Sequence, residues 1–203
     1  MFHPSFSEIT ELFYRGLEIV ETKHTYKFKD YSECIFDTQI QSKNWLVDEL
    51  SECVDPSEVK RISVLASWYG IVAVPMLKRK FKHAIIDLYD IDEYTIDIAQ
   101  FIFKHIDSVN VYCKDVVFHQ LDLQGDVVIN CSCEHMYDMK DLVNQYRGKV
   151  FALQSNDNRN VKWLHINCVD TPEELVEQAD IKEVLYKGSI QVHRNNRIMV
   201  IGK

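Results

Sequence analysis

One stretch in the first half of the sequence constrains the fold more than any other. An apolar run at Ile62–Ala66 leads into a turn of small and aromatic residues that ends in Gly70. A helical segment at Ile71–Lys80 follows, and a second apolar run, Ala84–Tyr89, ends on Asp90. This order of strand, tight turn, helix, strand and acid is typical of a nucleotide-binding βαβ unit. In such a unit the turn lets a ligand approach the backbone, and the carboxylate accepts hydrogen bonds from two ribose hydroxyls.

The length and composition favour a single soluble domain inside a cell. The chain has 203 residues, of which 46% are apolar and 27% charged, which is enough for one domain with its own core. We expect neither a signal peptide nor a membrane span, because the first residues lack a basic segment followed by an apolar one and no run of about 18 apolar residues occurs. The six cysteines lie mostly inside apolar runs. That pattern favours reduced thiols and a cytoplasmic location over a disulfide framework.

The charge of the sequence limits the class of partner. The net charge is -8, and the dense basic run Lys78–Lys80, with Lys82, lies at the end of a predicted helix, where cations favour the helix dipole. A protein that binds duplex nucleic acid usually has a basic surface. Extended duplex nucleic acid is therefore disfavoured as a partner, whereas a small molecule, a protein side chain and an RNA base all stay open.

The chain as a whole predicts a helical preface, residues 1–58, followed by a Rossmann-like core, residues 59–203. Whether the preface packs on a sheet edge or covers a pocket is left open. The core ends in two strands joined at Asn195-Asn196, a good hairpin turn pair. Besides the βαβ unit, the predicted segments are helices at 5–21, 39–50, 94–105, 139–146 and 172–179 and strands at 109–113, 127–130, 150–153, 184–192 and 198–201. We therefore expect one α/β domain with a doubly wound, mostly parallel sheet and one antiparallel strand from the terminal hairpin.

This plan, and the residues at several places between positions 62 and 153, resemble the class I S-adenosylmethionine-dependent methyltransferases. Residues 64–70, VLASWYG, resemble the first motif of that family, whose turn cradles the amino-acid end of the cofactor. Asp90 stands where the family has the acid that holds the ribose, and Asp115 where it often has a polar residue facing the adenine. Residues 126–136, DVVINCSCEHM, are similar to the fourth motif. The segments Ser-Trp-Tyr-Gly and Ser-Cys-Glu-His-Met are also similar to those of a subset of short methyltransferase-like proteins, often encoded by phages.

The resemblance implies S-adenosylmethionine as the cofactor and methyl transfer to an acceptor that the sequence does not identify. Open α/β sheets place their chemistry at the carboxyl ends of their strands, here the end of the fourth strand, with His135 as a general base and Glu134 and Asn130 as further catalytic candidates. The cofactor-binding residues that the resemblance implies are Ala66, Ser67, Trp68, Tyr69, Gly70, Asp90, Ile91, Asp115, Val116, Asn130, Cys131 and Ser132. The fourth motif lacks the Asn/Asp-Pro-Pro-aromatic pattern of DNA amino-methylating enzymes, which argues against adenine-N6 or cytosine-N4 methylation. For the phage subset, expression in the cytoplasm of a host is expected.

Two other functions stay open. The first motif lacks its first two glycines, and Ser67 and Trp68 occupy the turn, so a catalytically degenerate cofactor-binding or scaffold protein is one alternative. A nicotinamide-dependent oxidoreductase on a related fold is the other, although the terminal hairpin and the missing G-x-G-x-x-G pattern disfavour it. Cleavage of the cofactor in place of methyl transfer is open as well.

The cysteines near the fourth strand invite a metal hypothesis. Cys131, Cys133 and His135 alternate along the chain, and alternation on a strand places side chains on one face of a sheet. Three such close ligands without a second Cys-x-x-Cys pair make a poor tetrahedral zinc set. We therefore predict no metal site.

Several other polar residues have structural explanations that compete with functional ones. The run Gln154–Asn158, with His165 and Asn167, leaves the predicted fifth strand near the same rim. It either contacts an acceptor or forms an Asn-rich loop. Asp90 either holds a ribose or caps the next helix, a role that Asp92 could fill equally well.

Overall fold

The computed structural model describes residues 5–116, 123–161 and 165–203. Its helices are α1 (Ser5–Thr22), α2 (Phe28–Glu33), α3 (Asp37–Cys53), α4 (Ala73–Lys80), α5 (Glu93–Phe103), α6 (Lys140–Gln145) and α7 (Pro172–Ala179). Its strands are β1 (Arg61–Leu65), β2 (Ile85–Asp90), β3 (Val109–Cys113), β4 (Val127–Asn130), β5 (Val150–Asn156), β6 (Val184–Val192) and β7 (Asn195–Gly202). Short 3-10 turns cover Thr25–Lys27 and Cys133–His135. In these ranges no helix is both long and apolar enough to serve as a membrane span.

The strands form one sheet in the order β3-β2-β1-β4-β5-β7-β6. Strands β1 to β5 are parallel, and β7 enters the sheet antiparallel to β5 and pairs with β6 at the edge. All residues of β4 and β5 are buried, because helices cover both faces of a parallel sheet. The predicted fold, a doubly wound sheet with an antiparallel C-terminal strand, is confirmed, and β3, β4 and β6 have the predicted bounds.

The predicted turn of the terminal hairpin is wrong by two residues. Asn195 and Asn196 belong to β7 and pair with Val192 and Gln191, so the two-residue turn lies between them and β6. The carboxylate of Asp157 explains the shift, since it accepts hydrogen bonds from the backbone N–H of Asn196 (2.9 Å) and from its side-chain amide (2.7 Å). These bonds hold Asn196 in the strand beside the end of β5.

The fifth strand is longer than the sequence predicts. Gln154, Ser155 and Asn156 were expected in a polar loop, but they continue β5 and are buried. Tertiary contacts satisfy part of their polar groups: the side-chain amide N–H of Gln154 donates to the carbonyl of Ser42 at 2.9 Å, whereas its Oε1 has no hydrogen-bond partner among the described residues. The strand therefore ends among buried side chains rather than in solvent.

The helical preface both packs on the sheet layer and reaches the edge where the parallel strands end. Helix α1 packs on α4 and α5, and α3 packs on α4, β5, β6 and β7. Residues 25–33 form a 3-10 turn and α2. From α2 and the start of α3, the side chains of Asp30, Gln39 and Lys43 border a cavity at the carboxyl ends of the strands.

Close packing of the preface depends on a glycine inside α1. The phenol of Tyr31 is fully buried and donates a hydrogen bond to the carbonyl of Phe13 at 2.8 Å. A Cβ atom at Gly16 would lie 2.7 Å from Cδ1 of Ile102 and closer still to the Tyr31 hydroxyl. There is no space for a methyl group between these helices.

We predict that Gly16→Ala destabilises the protein by about 1–3 kcal/mol through overpacking. At a solvent-exposed position of a helix the same substitution would stabilise the protein by about 0.5–1 kcal/mol. A destabilising effect would therefore indicate close packing around Gly16. Urea unfolding of wild type and variant measures it, with Glu18→Ala on the exposed side of α1 as the control. A Gly16→Ala variant as stable as wild type would contradict the packing described here.

Candidate active site

A cavity of about 670 Å³ lies at the carboxyl ends of β1, β2, β4 and β5. Its volume is within the range of small-molecule and cofactor sites, about 300–1,000 Å³. One wall is the turn after β1 together with the end of β2, and the opposite wall is the segment after β4 with the start of β7. Helices α2 and α3 cover it. Open α/β sheets bind their ligands at this edge, where the order of the strands reverses.

The turn after β1 has a left-handed backbone at alternate residues. Ala66 (φ 46°), Trp68 (φ 53°) and Gly70 (φ 69°) all have positive φ. Only glycine adopts this conformation without cost, and other residues are strained by about 1–2 kcal/mol each. Glycine would be favoured at two positions where the chain has Ala66 and Trp68. The turn adopts its left-handed conformation without glycine at either position.

Asp90 fixes this turn to the end of β2. Its carboxylate accepts hydrogen bonds from the backbone N–H of Trp68 (2.8 Å) and from that of Asp92 (3.1 Å). Burial raises the pKa of Asp90 above its ordinary value, and the amide hydrogen bonds partly oppose the rise. Asp92 is the N-cap of α5, accepting from the N–H groups of Tyr94 and Thr95. Asp90 is therefore not the helix cap, and it borders the cavity.

A second carboxylate holds the same turn from the opposite side. Asp30 of α2 accepts a hydrogen bond from the Tyr69 hydroxyl at 2.6 Å and one from the Trp68 indole N–H at 3.2 Å. Burial, and then the contact with Asp30, raise the pKa of Tyr69, so its hydroxyl stays a donor. The sequence carries no signal for Asp30, because nothing in its local pattern links it to residues almost 40 positions away.

Three strand ends meet at Glu134 on the opposite wall. Glu134 follows β4 and is 3% exposed. Its Oε1 accepts hydrogen bonds from the side-chain amide of Asn156 at the end of β5 (2.6 Å) and from the guanidinium of Arg197 in β7 (2.8 Å). The guanidinium also donates to the carbonyl of Cys131. Burial alone would lower the pKa of Arg197, but the charge of Glu134 reverses that effect and raises it.

Two histidines stand beside Glu134 at the cavity. The rings of His135 and His165 are 4.6 Å apart and nearly perpendicular, and Nε2 of His135 is 3.9 Å from Oε1 of Glu134. Nδ1 of His165 is 2.6 Å from the carbonyl oxygen of Asn158. Since a carbonyl can only accept, that nitrogen carries the proton, and in the neutral ring Nε2 keeps its lone pair.

The other predicted site residues divide into two groups. Ser67, Ile91, Cys131 and Ser132 border the cavity, as do the turn residues. Asn130 is fully buried behind the wall, where its Oδ1 accepts from the N–H of Ser132 at 2.8 Å. Asp115 and Val116 follow β3, next to residues 117–122, which lie outside the described ranges, and they do not border the cavity.

Lys43 and Arg197 are cavity residues that the sequence analysis did not single out. Lys43 extends from α3, and its pKa is lowered by burial and by the nearby charge of Arg197. The sequence predicts that the last strand begins one position after Arg197, and it predicts no functional role for this residue. Neither position has a local signal, because both contacts depend on how distant elements pack.

The fold of the chain is similar to that of several solved enzymes. The chain is similar to N-methyltransferase NodS from Bradyrhizobium japonicum WM9, with a TM-score of 0.63 and 11% identity over 83% of this chain and 97% of that one. The fold is that of a class I methyltransferase. The same comparison finds human N-acetylserotonin methyltransferase in complex with S-adenosylmethionine (TM-score 0.57, 13% identity, 96% of this chain and 65% of that one).

A third structure with this fold is an O-methyltransferase family protein from Burkholderia thailandensis, with a TM-score of 0.54 and 15% identity over 95% of this chain and 70% of that one. NodS was also solved in complex with S-adenosyl-L-homocysteine, and that complex aligns with a TM-score of 0.62 and 10% identity over 94% of this chain and 98% of that one. No protein-family model and no curated protein sequence matches the chain. At such low identity the likeness establishes the fold.

We predict strong energetic coupling between Glu134 and Arg197. Glu134→Ala is expected to lower the free energy of unfolding by about 3–5 kcal/mol, because it leaves a buried guanidinium without its partner. Arg197→Met should also destabilise, and the double variant should lose less than the sum of the two. A double-mutant cycle by urea unfolding measures the coupling.

The exposed pair of Glu173 and Lys187, 2.8 Å apart, provides the matched control. Its cycle should give no measurable coupling, since exposed ion pairs are screened by water. Additive losses at Glu134 and Arg197 would mean that the pair does not organise this wall of the cavity.

Proposed function

We propose that this protein is an S-adenosylmethionine-dependent methyltransferase, with the cofactor bound across the ends of β1 and β2. One observation carries the proposal: the left-handed turn at residues 66–70 and the carboxylate of Asp90 border the same cavity. The backbone of a turn at the end of a strand can lie close to a ligand, and a strand-end carboxylate suits two ribose hydroxyls. The neighbours solved with S-adenosylmethionine or S-adenosyl-L-homocysteine bound support this choice of cofactor.

The proposed cofactor contacts follow from position in the cavity. The backbone of Ser67 and Gly70 would face the amino-acid end of the cofactor, and Trp68 and Ile91 would line its path. Asp90 would hold the ribose, because each of its oxygens has a lone pair left after the amide hydrogen bonds. For Asp115 and Val116, contact with the adenine stays a prediction, as do cofactor contacts of Asn130, Cys131 and Ser132.

Methyl transfer requires alignment more than covalent help from the protein. S-adenosylmethionine, held at the turn after β1 and at Asp90, would supply an electrophilic methyl group, and the residues of the cavity would orient the acceptor toward it. We propose that His135, beside the cavity, removes a proton from the acceptor as a general base. Glu134 would orient this wall through Arg197 and Asn156. Asn130 would act as a positioning residue, since its side chain holds the backbone of Ser132.

The methyltransferase neighbours favour methyl transfer over a degenerate scaffold or a nicotinamide-dependent oxidoreductase. We propose an intracellular, cytoplasmic site of action, which the free state of all six cysteines supports, including the exposed Cys113. Membership of the phage-type subset, with expression in a host cytoplasm, stays a prediction. The acceptor, whether small molecule, protein or RNA, is the open part of the proposal.

A calorimetric titration tests the cofactor directly. Wild type should bind S-adenosylmethionine and S-adenosyl-L-homocysteine, and not NAD. Asp90→Asn should weaken both by at least about tenfold, because hydrogen bonds from the ribose to a charged acceptor are lost. Asp92→Asn is the matched control, since it makes the same chemical change two residues away and asparagine also caps helices.

Three results of this titration would count against the proposal. Binding of NAD alone would favour the oxidoreductase, and binding of none of the three ligands would favour the scaffold protein. Equal affinity in wild type and Asp90→Asn, with both folded by circular dichroism, would remove Asp90 from the site.

The raised pKa of Asp90 predicts a pH dependence of binding. Burial favours the protonated carboxyl in the ligand-free protein, so its pKa lies above the ordinary 3.8. The ionised form is the one that accepts from both ribose hydroxyls, so cofactor binding should release a proton in that pH range. Affinity for S-adenosyl-L-homocysteine should therefore be constant near neutral pH and fall as the pH drops through this raised pKa. Titrations at decreasing pH measure the effect, and Asp90→Asn should not show it.

A further inference from the structure

Three side chains on the wall opposite Asp90 have the donor atoms of a metal site and lie close to one another. Glu134, His135 and His165 each offer one ligand atom, and these atoms all lie within 4.8 Å of one another. We propose that they bind a divalent first-row transition metal ion, of which zinc is the representative. Binding of an ion there does not depend on the proposed methyl transfer, and the three ligands differ from the set of Cys131, Cys133 and His135.

Glu134 has a carboxylate oxygen available for a cation. Its Oε1 accepts from Asn156 and Arg197, whereas Oε2 is buried and accepts no hydrogen bond from any described residue. A buried carboxylate oxygen without a donor is unfavourable. The hydrogen bonds to Oε1 fix the orientation of the group, as hydrogen-bonded partners do for carboxylates that bind metals.

His165 is already in the tautomer that a metal ligand needs. Its Nδ1–H donates to the carbonyl oxygen of Asn158 at 2.6 Å, which leaves the lone pair of Nε2 for a cation. Histidines that bind metals almost always donate their other ring N–H to a carbonyl, a carboxylate or water. The ring of His135, 4.6 Å away, adds the second imidazole.

The donor set selects the kind of metal. Two imidazoles and one carboxylate form the protein ligands of catalytic zinc sites, in which the fourth position is left for water or substrate. Imidazole favours zinc and its first-row neighbours over magnesium and calcium, which prefer oxygen ligands. At metal–ligand distances of about 2.1 Å the ligand atoms lie about 3.4 Å apart, so the cluster must contract by about an ångström. His135 is the most exposed of the three ligands, with 41% of its side chain exposed, so we assign the movement to its side chain.

The proposed ion would change how the acceptor loses its proton. When the ion is bound, His135 is a ligand and cannot act as a base. A hydroxyl group or water at the open position would then lose its proton more readily, because a coordinated cation lowers its pKa. With an ion held by Glu134, His135 and His165, proton removal would not use the imidazole of His135, whereas the protein without metal would depend on it.

Metal binding by the full chain tests the site. The protein is stripped with a chelator and titrated with Zn²⁺ by calorimetry, and Co²⁺ is added to a second sample for its visible spectrum. Wild type should bind one ion per chain, with a cobalt spectrum that lacks thiolate charge-transfer bands and a higher melting temperature. His135→Ala and His165→Ala should each weaken binding at least about a hundredfold.

Two variants serve as controls. His193→Asn removes another histidine that borders the cavity, and Cys168→Ser removes a thiol whose sulfur is 3.8 Å from Oδ1 of Asn156. Both should bind Zn²⁺ as wild type does. Absence of stoichiometric binding, or equal affinity in the double variant His135→Ala/His165→Ala, would overturn the proposal. Titration of S-adenosyl-L-homocysteine into the same metal-free sample reports separately on the cofactor site.

Discussion

The hydrogen bond from the backbone N–H of Trp68 to Asp90 is the interaction on which the rest of the site depends. It joins the turn after β1 to the end of β2 at a residue with a left-handed backbone. Asp30 holds the side chains of Trp68 and Tyr69 from the helical preface. The turn is thus fixed between two carboxylates, one from the sheet and one from α2. These bonds offset the strain of non-glycine residues in an unfavourable conformation.

The opposite wall depends on the direction of a single strand. Because β7 runs antiparallel to β5, its first residues lie at the carboxyl end of β5, where Asn156 pairs with Arg197. A parallel strand in that position would place its last residues there instead. The inserted strand therefore delivers a guanidinium to Glu134 at the edge where the parallel strands end. The same feature that distinguishes this sheet from an all-parallel one also completes the cavity.

The sequence predicted the parts of the structure that rest on local patterns. The βαβ unit, the bounds of β3, β4 and β6 and the position of Asp90 follow from apolar runs that end in polar residues. The end of β5 was missed because Gln154 is polar yet buried, and its partner is a carbonyl of α3. Asp30, Lys43 and Arg197 were missed for a related reason, since each reaches the cavity through contacts between elements far apart in the chain.

The low glycine content of the turn after β1 affects the conformational entropy that is lost when a ligand binds there. A glycine-rich loop samples many backbone conformations when empty, and a ligand that orders it must offset the lost entropy. Alanine and tryptophan have far fewer conformations available in the unfolded chain, so less freedom is lost when this turn forms. With its backbone held at Asp90 and its indole at Asp30, the turn is preorganised. The backbone of this wall should therefore be nearly superimposable with and without a ligand, and binding there should require little rearrangement.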